Sequence, residues 1–395
     1  MKNVCIIMQC SLPVPAIKGG AVETLVEYII NENEKKHKFN FTIINVYDEK
    51  NIDNTKKYKY TKFVTVKKHN AFLNRILLLS YKVLKKMNIY IPFSLEFKDA
   101  LKALKKMDKQ HDFFVYEAGP TTQLPLLKKA ISKEKLLVHL HWDGLGNEKK
   151  DKNFKCLIPV SEYISNQWKN KTNRDDSGIR VLYNCSCVEN FRKKTSVEEQ
   201  CKLKKELGIP KDNKVVIFVG RMVKEKGIRE LLEAFKIVKS QNVSLLIIGS
   251  LNFGLNSKNK FEDELKSIIK EIDKQVVFTG YIHQNDLYKY YNISDISVMP
   301  SIFEEPAGMV SIEAQASGIP LIASNVGGLP EYAKEGSSIL IDTDDCFIEN
   351  IAQNIDKLIN NDELRSEMGH MGIKNTEHMD PQNYFEEFFK IINNI

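Results

Sequence analysis

Two glutamates that lie eight positions apart in the sequence could together bind a hydroxyl-rich ligand. Glu305 and Glu313 lie within Pro300–Ala314, which follows the short apolar run Ile296–Met299. If Pro306 opens a helix, Glu305 lies near its N-terminus and Glu313 two turns further in, on roughly the same face. Such a pair can accept hydrogen bonds from two sugar rings, such as a ribose and a hexose. A salt-bridged helix face has the same pattern.

A basic loop offers charge of the opposite sign. It follows the apolar run Val215–Val219 and leads into a helical pattern after Gly227. Arg221 can grip phosphate oxygens with its planar guanidinium, and Lys226 supplies a point charge at the helix start. Ordinary surface charge is the alternative interpretation.

Two glycines offer a further place for an anion. Gly19 and Gly20 precede the amphipathic segment Ala21–Lys36, and glycine lets backbone N–H groups approach an anion at a helix start. An ordinary turn has the same sequence. No G-x-G-x-x-G follows a predicted strand and no G-x-x-x-x-G-K-[ST] occurs, so nicotinamide and P-loop chemistry have no support.

Two histidines end one predicted strand. His139 and His141 close the run Leu136–Leu140, and a small, polar stretch with Asp143 and Gly144 follows. Strand alternation places both imidazoles on the same face, so they compete for one role. A structural histidine is the alternative for each.

The elements that must position these residues alternate along most of the chain. Several apolar runs lack polar alternation, as expected for parallel strands buried on both faces. One series of predicted strands comprises Asn3–Met8, Phe41–Val46, Phe63–Val66, Phe113–Tyr116, Leu136–Leu140, Cys156–Val160 and Arg180–Leu182. A second comprises Val215–Val219, Ser244–Ile248, Gln275–Phe278, Ile296–Met299, Pro320–Ala323 and Ile339–Ile341. The pattern predicts an α/β protein with two doubly wound parallel sheets.

Helical patterns lie between these runs and at the end of the chain. They cover Ala21–Lys36, Gly227–Lys239, Phe261–Ile272, Asp286–Tyr291, Met309–Ala316 and Tyr384–Ile395. Periodicity is lost over 183–210, which predicts a domain boundary there. We expect an N-terminal domain over 1–185 and a C-terminal domain over 186–380, with a final helix over 381–395 that packs back on the first domain.

Composition excludes several classes of protein. The 395 residues are 43% hydrophobic and 28% charged, close to the globular average, which excludes disordered and fibrous proteins. No apolar run approaches the ~18 residues of a transmembrane helix, and no secretory signal is evident. The seven cysteines include no C-x-x-C pair, so a disulfide framework or zinc knuckle is not indicated. We therefore expect a cytoplasmic protein.

Taken in order, the motifs resemble those of family 4 glycosyltransferases, the group 1 retaining enzymes with the GT-B fold. The matching segments are Gly19-Gly20-Ala21, Val181–Asn184, Gly220–Gly227, Ser301–Gly308 with the E-x7-E pair Glu305 and Glu313, Ala316–Pro320 and Gly327–Glu331. The resemblance implies two Rossmann-like domains that face each other across a cleft. The N-terminal domain would bind the acceptor and the C-terminal domain the nucleotide-sugar donor.

The resemblance implies two catalytic residues. Glu305 would bind hexose hydroxyls near the reaction centre. The active-site histidine of the family usually ends this strand before a small or polar loop, which favours His141 over His139.

The resemblance also implies the donor contacts. Arg221 and Lys226 would hold the diphosphate, and Glu313 the ribose diol. Backbone N–H groups of Gly308 and Met309 would add phosphate contacts. The complete donor-binding set is Gly19, Gly20, Arg221, Lys226, Tyr281, Gly308, Met309 and Glu313.

Three positions either allow a second interpretation or depart from the pattern of the family. Tyr281 lies where the family packs the nucleobase, although a core tyrosine fits equally well. Ala307 replaces the phenylalanine of many relatives, which alters the donor-sugar pocket, and Cys185 replaces a linker glycine. The D-x-D sequence Asp342–Asp344 precedes a helix, so capping explains it better than a metal site does. No metal and no other cofactor is expected.

The implied reaction is transfer of a hexose, with retention, from a nucleoside diphosphate sugar, expected to be a UDP-sugar. A glycan or a lipid-linked molecule in cell-surface polysaccharide synthesis would be the acceptor. A sugar-nucleotide epimerase and a non-catalytic nucleotide-sugar- or carbohydrate-binding protein remain alternatives. The complete glutamate pair argues against the epimerase, and a binding protein needs no Glu305 together with His141.

One segment is strongly basic. Lys67–Gln110 holds eleven Lys or Arg residues against three acids, a net charge of +8 in a chain of +7. Its predicted helices carry the apolar stripes Phe72, Ile76, Leu79, Val83 and Met87, and Phe97, Leu101 and Leu104. We expect this segment to bind an anionic membrane surface at the inner face of the cell membrane. Aromatic residues are not interleaved regularly, so nucleic-acid binding is not expected. Solvated helices packed on the sheet are the alternative.

Overall fold

Apolar, β-branched runs form parallel strands in both halves of the chain. The computed structural model describes residues 1–142, 146–249 and 260–395. These residues form two compact units, unit 1 with Met1–Asn184 and Pro381–Ile395, and unit 2 with Cys185–Asp380. The prediction of two doubly wound parallel sheets is confirmed.

Unit 1 holds one parallel sheet. Its strands are β1 (Lys2–Ile7), β2 (Phe39–Val46), β3 (Thr61–Val66), β4 (Phe113–Glu117), β5 (Leu136–Leu140) and β6 (Cys156–Pro159). Their order across the sheet is β3-β2-β1-β4-β5-β6. The helices are α1 (Ala21–Lys36), α2 (Ile52–Lys56), α3 (Ala71–Leu84), α4 (Leu95–Leu104), α5 (Leu124–Leu127), α6 (Glu148–Asp151) and α7 (Glu162–Lys169). Short 3-10 turns lie at Glu49–Asn51, Lys85–Met87, Thr121–Gln123, Lys133–Lys135 and Asp176–Gly178.

Unit 2 repeats this architecture. Its strands are β7 (Lys214–Val219), β8 (Val243–Ile248), β9 (Gln275–Gly280), β10 (Ile296–Met299), β11 (Leu321–Ser324) and β12 (Ser338–Ile341), in the order β12-β11-β10-β7-β8-β9. Its helices are α8 (Val188–Arg192), α9 (Val197–Glu206), α10 (Ile228–Ile237), α11 (Lys260–Lys270), α12 (Gln284–Asn292), α13 (Met309–Ala316), α14 (Leu329–Tyr332), α15 (Phe347–Ile359) and α16 (Asp362–Asn375). A 3-10 turn at Lys224–Lys226 precedes α10. The last helix, α17 (Pro381–Asn393), belongs to unit 1.

The strand order reverses once in each sheet, between β1 and β4 in unit 1 and between β7 and β10 in unit 2. Ligands of doubly wound proteins bind beyond the carboxyl ends of the strands at such a reversal. The loops after β1, β4, β7 and β10 are therefore the places to look for a site.

Two sequence predictions of local structure are wrong. Arg180–Leu182 is not a strand, because it meets β6 only through the N–H groups of Arg180 and Leu182, which donate to Leu157 and Pro159 at 2.9 Å each. Pro306 does not open a helix. Helix α13 starts three residues later, at Met309, so Glu305 lies in the preceding loop.

The two apolar stripes of the basic segment have different fates. On α4, Phe97 and Leu104 are fully buried, so this stripe packs in the core, and its predicted membrane contact is wrong. On α3, the stripe is exposed, with Phe72 68%, Leu79 57% and Val83 61% accessible. Of these two helices, α3 alone therefore exposes its apolar stripe.

The C-terminal helix α17 completes the core of unit 1. Phe388 is fully buried, and its ring centroid lies 6.2 Å from Phe39 and 6.4 Å from Phe41 on β2. Lys36 at the end of α1 pairs with Glu386 of α17. Helix α17 thus joins the first helix and the second strand, although it lies more than 330 residues further along the chain than either of them.

We expect Phe388→Ala to lower the free energy of unfolding of unit 1 by about 3–5 kcal/mol, because it leaves a cavity among buried rings. Both tryptophans, Trp142 and Trp168, belong to unit 1. Urea unfolding followed by tryptophan fluorescence therefore reports on this unit. Glu387→Ala, at an exposed position of the same helix, is the control. An equal midpoint for the two variants would contradict the role of α17.

Candidate active site

The loops after β7 and β10 touch each other at the strand reversal of unit 2. Gly227, with φ +68°, ends the β7 loop, and a Cβ added there would lie 1.7 Å from the carbonyl oxygen of Pro300. The N–H of Ile302 donates to the carbonyl of Glu225 at 3.0 Å. Only glycine allows this approach, which brings the basic loop against the loop that carries Glu305.

Glu305 is held from both its backbone and its side chain. Gly327, with φ +58°, packs on the Glu305 backbone, and the N–H of Gly328 donates to the Glu305 carbonyl at 2.6 Å. The buried carboxylate pairs with the ammonium of Lys226 and accepts from Ser301 Oγ at 2.7 Å. Two residues predicted to bind a donor are thus in direct contact.

Glu313 has a different environment. It is 5% exposed on α13, and Gln284 has its Nε2 3.4 Å from Oε1 of its carboxyl group. Burial raises the pKa of Glu313 to about 8, and the Gln284 hydrogen bond opposes this only partly. Neither Glu305 nor Glu313 belongs to a salt-bridged helix face, the alternative that their spacing allowed.

Arg221 and Tyr281 line one cavity of about 180 Å³, together with Gly220, Gly249 and Leu287. Tyr281 is 55% exposed, so it is not a core tyrosine. The Arg221 guanidinium makes no ion pair within the described part of the chain. A positive charge and an aromatic face therefore meet at the carboxyl ends of β7 and β9.

Gly308 and Met309 begin α13 as the sequence predicts. Gly308 caps the helix, and no side chain satisfies its first N–H groups in the described ranges. These N–H groups lie at the positive end of the helix dipole, so an anion would be favoured at the start of α13.

In unit 1, both histidines contact one carboxylate that sequence reasoning missed. Glu117 ends β4 beside β5, in register with His139. One of its oxygens lies 2.9 Å from His139 Nδ1 and 3.0 Å from His141 Nε2. The two imidazole centroids are 4.1 Å apart, on the same side as strand alternation predicts. An acid that ends an apolar run one strand before the histidines was the available signal.

The charges of this group follow from its burial. Burial alone would raise the pKa of Glu117, but His139 and His141 outweigh it and lower that pKa to about 2. Burial and His139 lower the pKa of His141 to about 4 against the pull of Glu117. An ionised carboxylate only accepts hydrogen bonds, so Nε2 of His141 carries the proton and Nδ1 keeps its lone pair.

Glu117, His139 and His141 also have the ligand types of a metal site. Their donor atoms lie within 4.8 Å of one another. Two histidines and a carboxylate suit zinc or iron. Here the hydrogen bonds between them already satisfy the carboxylate, while His139 Nε2 is buried without a hydrogen-bond partner among the described residues. The D-x-D acid Asp344 accepts from the N–H of Cys346 at 3.0 Å, in the turn before α15, but no side chain caps this helix.

Gly19 and Gly20 lie in unit 1 at the start of α1. The carboxylate of Glu23 folds over them, and a Cβ added to Gly20 would meet it at 2.2 Å. Burial raises the pKa of Glu23, and the charge of Glu117 raises it further. An acidic side chain thus occupies the helix start where an anion was predicted. Asp143 and Gly144, the polar stretch predicted after His141, lie outside the described residues.

The low pKa of His141 predicts that unit 1 loses stability in acid. Between about pH 6.5 and 4 the unfolded chain binds a proton that folded His141 does not, so the free energy of unfolding falls by up to ~1.4 kcal/mol per pH unit. His141→Asn should flatten this slope in urea titrations at several pH values. His370→Asn, at an exposed site of α16, should leave it unchanged. A slope equal to that of the wild type in His141→Asn would contradict the burial of a neutral imidazole.

Residues 199–375 match the family model for glycosyl transferases group 1. The chain is 24% identical to spore coat protein SA of Bacillus subtilis over 383 residues, 93% of this chain and 92% of the relative. It is 40% identical over 168 residues to the capsular polysaccharide biosynthesis glycosyltransferase CapM of Staphylococcus aureus, 42% of each chain.

Solved structures share the fold. The crystal structure of Anabaena HepE in complex with UDP and glucose superimposes with a TM-score of 0.75 at 16% identity, and covers 100% of both chains. WaaG, a glycosyltransferase of lipopolysaccharide biosynthesis, gives a TM-score of 0.68 at 13% identity over 99% of both chains. These structures establish the fold, and the family model covers residues 199–375, less than half of the chain, which include Arg221, Glu305 and Glu313. The chain therefore has the GT-B fold, and its residues 199–375 match the glycosyl transferases of group 1.

Proposed function

We propose that this enzyme transfers a hexose, with retention at the anomeric carbon, from a UDP-sugar to a glycan or lipid-linked acceptor of a cell-surface polysaccharide. The observation that carries the proposal is the contact of the basic β7 loop with the Glu305 loop at the strand reversal of unit 2. Two comparisons support it, since CapM is named for capsular polysaccharide synthesis and HepE was crystallised with UDP and glucose.

Each donor group has a matching partner in unit 2. Arg221 and Lys226 would bind the diphosphate, and the N–H groups of Gly308 and Met309 would add donors at the start of α13. The exposed ring of Tyr281 would stack on the uracil at the mouth of the Arg221 cavity. These groups bind the nucleotide through charge, hydrogen bonds and stacking.

The two glutamates would bind different parts of the donor. Glu313 would accept from the ribose hydroxyls, since a diol replaces some of the hydration that burial removes from its carboxylate. Glu305 would accept from the hexose hydroxyls. A bound diphosphate would compete for the ammonium of Lys226 and so free Glu305 for the sugar.

Departure of UDP places negative charge on the β-phosphate, which Arg221, Lys226 and the α13 dipole would stabilise. We favour attack from the same face as the leaving group. The acceptor oxygen bonds to the anomeric carbon as the bond to the phosphate oxygen breaks, and that phosphate oxygen takes the acceptor proton. Glu305 is already bound by Lys226 and Ser301, so a covalent intermediate on it is less favoured.

His141 would act on the transferred sugar through Nδ1, the nitrogen that Glu117 leaves with a lone pair. At neutral pH the ring is uncharged, so it can accept from a sugar hydroxyl and stabilise positive charge that develops on the sugar ring. Glu117 is a positioning residue, because it fixes the tautomer and the orientation of His141.

We also propose that donor binding needs no metal. Two cationic side chains, Arg221 and Lys226, offer the charge that a divalent ion supplies to diphosphates in other folds. The nearest D-x-D acids are engaged, with Asp342 accepting from Asn325 at 2.8 Å and Asp344 at the start of α15.

The exposed face of α3 would bind an anionic membrane surface. None of the helices in the described ranges has the length and apolarity needed to cross a membrane. The apolar stripe of α3 instead lies beside Arg75, Lys82 and Lys86, and each basic residue near an anionic bilayer contributes about 1 kcal/mol. This arrangement suits reversible attachment parallel to the membrane.

We expect UDP to bind with an unchanged dissociation constant in excess chelator. Arg221→Ala and Glu313→Ala should each weaken UDP binding roughly 10- to 150-fold, because the first removes a cationic donor to the diphosphate and the second removes the partner of the ribose hydroxyls. Isothermal titration calorimetry measures all three. Arg229→Ala, on the outer face of α10, is the matched control. Loss of binding in chelator would overturn the metal-free proposal.

Glu305→Gln and His141→Ala should lower turnover about 100-fold or more and leave UDP binding nearly intact, because both act on the sugar. Turnover is measured as UDP release with a panel of UDP-sugars, with mass spectrometry of the products. The neighbouring exposed acid supplies the control Glu304→Gln. Near-normal turnover in Glu305→Gln would show that its role is wrongly assigned. A product whose anomeric configuration is opposite to that of the donor would contradict retention.

The enzyme should float with anionic vesicles at low salt and detach as salt shortens the Debye length. Leu79→Glu combined with Val83→Glu should abolish flotation by placing two acids on the α3 stripe. Ile237→Glu, an exposed apolar position in unit 2, should float normally. Equal flotation with neutral and anionic vesicles, or none at low salt, would overturn the membrane proposal.

A further inference from the structure

A second cavity, of about 470 Å³, lies in unit 1 beyond the carboxyl ends of β1, β2 and β3. Its walls come from the segment after β1, the loop after β3, the first two turns of α3 and the start of α4. Its volume is that of a small-molecule site. No residue of the candidate active site lines it.

The floor of this cavity is a fixed polar network. The buried carboxylate of Glu96 accepts from the N–H of His69 at 2.8 Å and from Asn74 Nδ2 at 2.8 and 2.9 Å. Asn74 Oδ1 in turn accepts from the N–H of Leu95 at 2.9 Å. His69 Nε2 lies 2.7 Å from Asp99. The acid of the floor is therefore satisfied by neighbouring donors.

The rim has the opposite charge. Lys68 and Arg75 line the cavity, and neither makes an ion pair within the described part of the chain. Leu78 and Phe93 add apolar surface beside them. Two unpaired cations next to an apolar wall are complementary to an anionic group on an apolar chain. A phosphate monoester of a long-chain alcohol has this chemistry.

The cavity is connected to the histidine group. Gln9, on its wall, donates from Nε2 to the carbonyl of Ala118 at 2.7 Å, and Trp142 Nε1 donates to the same oxygen at 3.1 Å. Ala118 follows Glu117, the carboxylate that orients His141. A ligand in the cavity would therefore lie beside the residues that we assign to the sugar.

Helix α3 connects the cavity with the exposed apolar stripe. Ala71, Arg75 and Leu78 of this helix form part of the cavity wall. Phe72 and Leu79 each follow one of these residues in the sequence and lie on the adjacent, exposed face of the helix. A molecule that rests on this helix in a membrane surface can reach the cavity with its polar end.

We propose that this cavity binds the phosphate end of an amphiphilic acceptor whose apolar chain lies along α3. The proposal rests on the function proposed above, since it assigns the chemical class of the acceptor. Lys68 and Arg75 bind the phosphate, and Leu78 and Phe93 bind the first carbons of the chain.

Calorimetry with three probes tests it on the full-length enzyme: octyl phosphate, octanol and inorganic phosphate. We expect octyl phosphate to bind at least 10-fold more tightly than either of the others. Arg75→Gln should weaken octyl phosphate binding about 10-fold or more. Lys50→Gln removes the same charge from an exposed position in the 3-10 turn after β2, which does not line the cavity, and should change the affinity less than 2-fold.

Ala71→Trp, at an exposed position of the wall, should block octyl phosphate without changing the circular dichroism spectrum. Equal affinity for inorganic phosphate would show a free-phosphate site, and equal affinity for octanol an apolar pocket. Equal effects of Arg75→Gln and Lys50→Gln would show surface electrostatics only. Each of these results would overturn the proposal. UDP titrated into the same samples separates the two proposals, because failed UDP binding with intact octyl phosphate binding contradicts only the donor site.

Discussion

The strand order of each parallel sheet reverses beside its first strand, so the loops after two neighbouring strands leave in opposite directions. In unit 2 this opens a space that the β7 and β10 loops fill from two sides, and the contact of Gly227 with Pro300 joins them. The Lys226–Glu305 pair depends on that contact. In unit 1 the same reversal brings the end of β4 beside the segment after β1, which places Gln9 on the carbonyl after Glu117. The candidate chemistry of both units therefore depends on one topological constraint.

Three buried glutamates show how surroundings assign roles to one residue type. Glu305 pairs with a lysine, Glu117 is hydrogen-bonded by two imidazoles, and Glu313 has no cation within ion-pair distance among the described residues and lies 3.4 Å from Gln284 Nε2. The pKa values diverge accordingly, to about 2 for Glu117 and about 8 for Glu313. Partners available before the ligand arrives decide whether a buried carboxylate keeps its charge. Glu117 is suited to orient a ring, whereas Glu313 gains from a partner that a ligand supplies.

Helices α3 and α4 are both amphipathic, but their surroundings are opposite. Both carry an apolar stripe among lysines, and both have strong helical periodicity. Phe97 of α4 packs near Tyr116 of the sheet, with ring centroids 5.9 Å apart, while α3 buries Tyr81 and leaves its stripe exposed. An amphipathic pattern predicts that the apolar face of a helix will be covered, but it does not predict which surface will cover it. This difference separates a core helix from a candidate membrane contact.

The sequence by itself determined the strands, part of the helices and the order of the motifs, whereas helices such as α9, α15 and α16 were not predicted. Most strands and helices lie within two or three residues of their predicted bounds, because periodicity is a local property of side chains that alternate or repeat along one face. It also identified Glu305, Glu313, Arg221, Lys226 and both histidines as candidates. The tertiary structure alone decided the position of Glu305 in the loop before α13, the absence of a strand at Arg180–Leu182, the role of Glu117 and the exposure of α3. Each of these depends on contacts between residues far apart in the chain, such as Gly327 on Glu305, and a pattern read along the sequence carries no information about such neighbours.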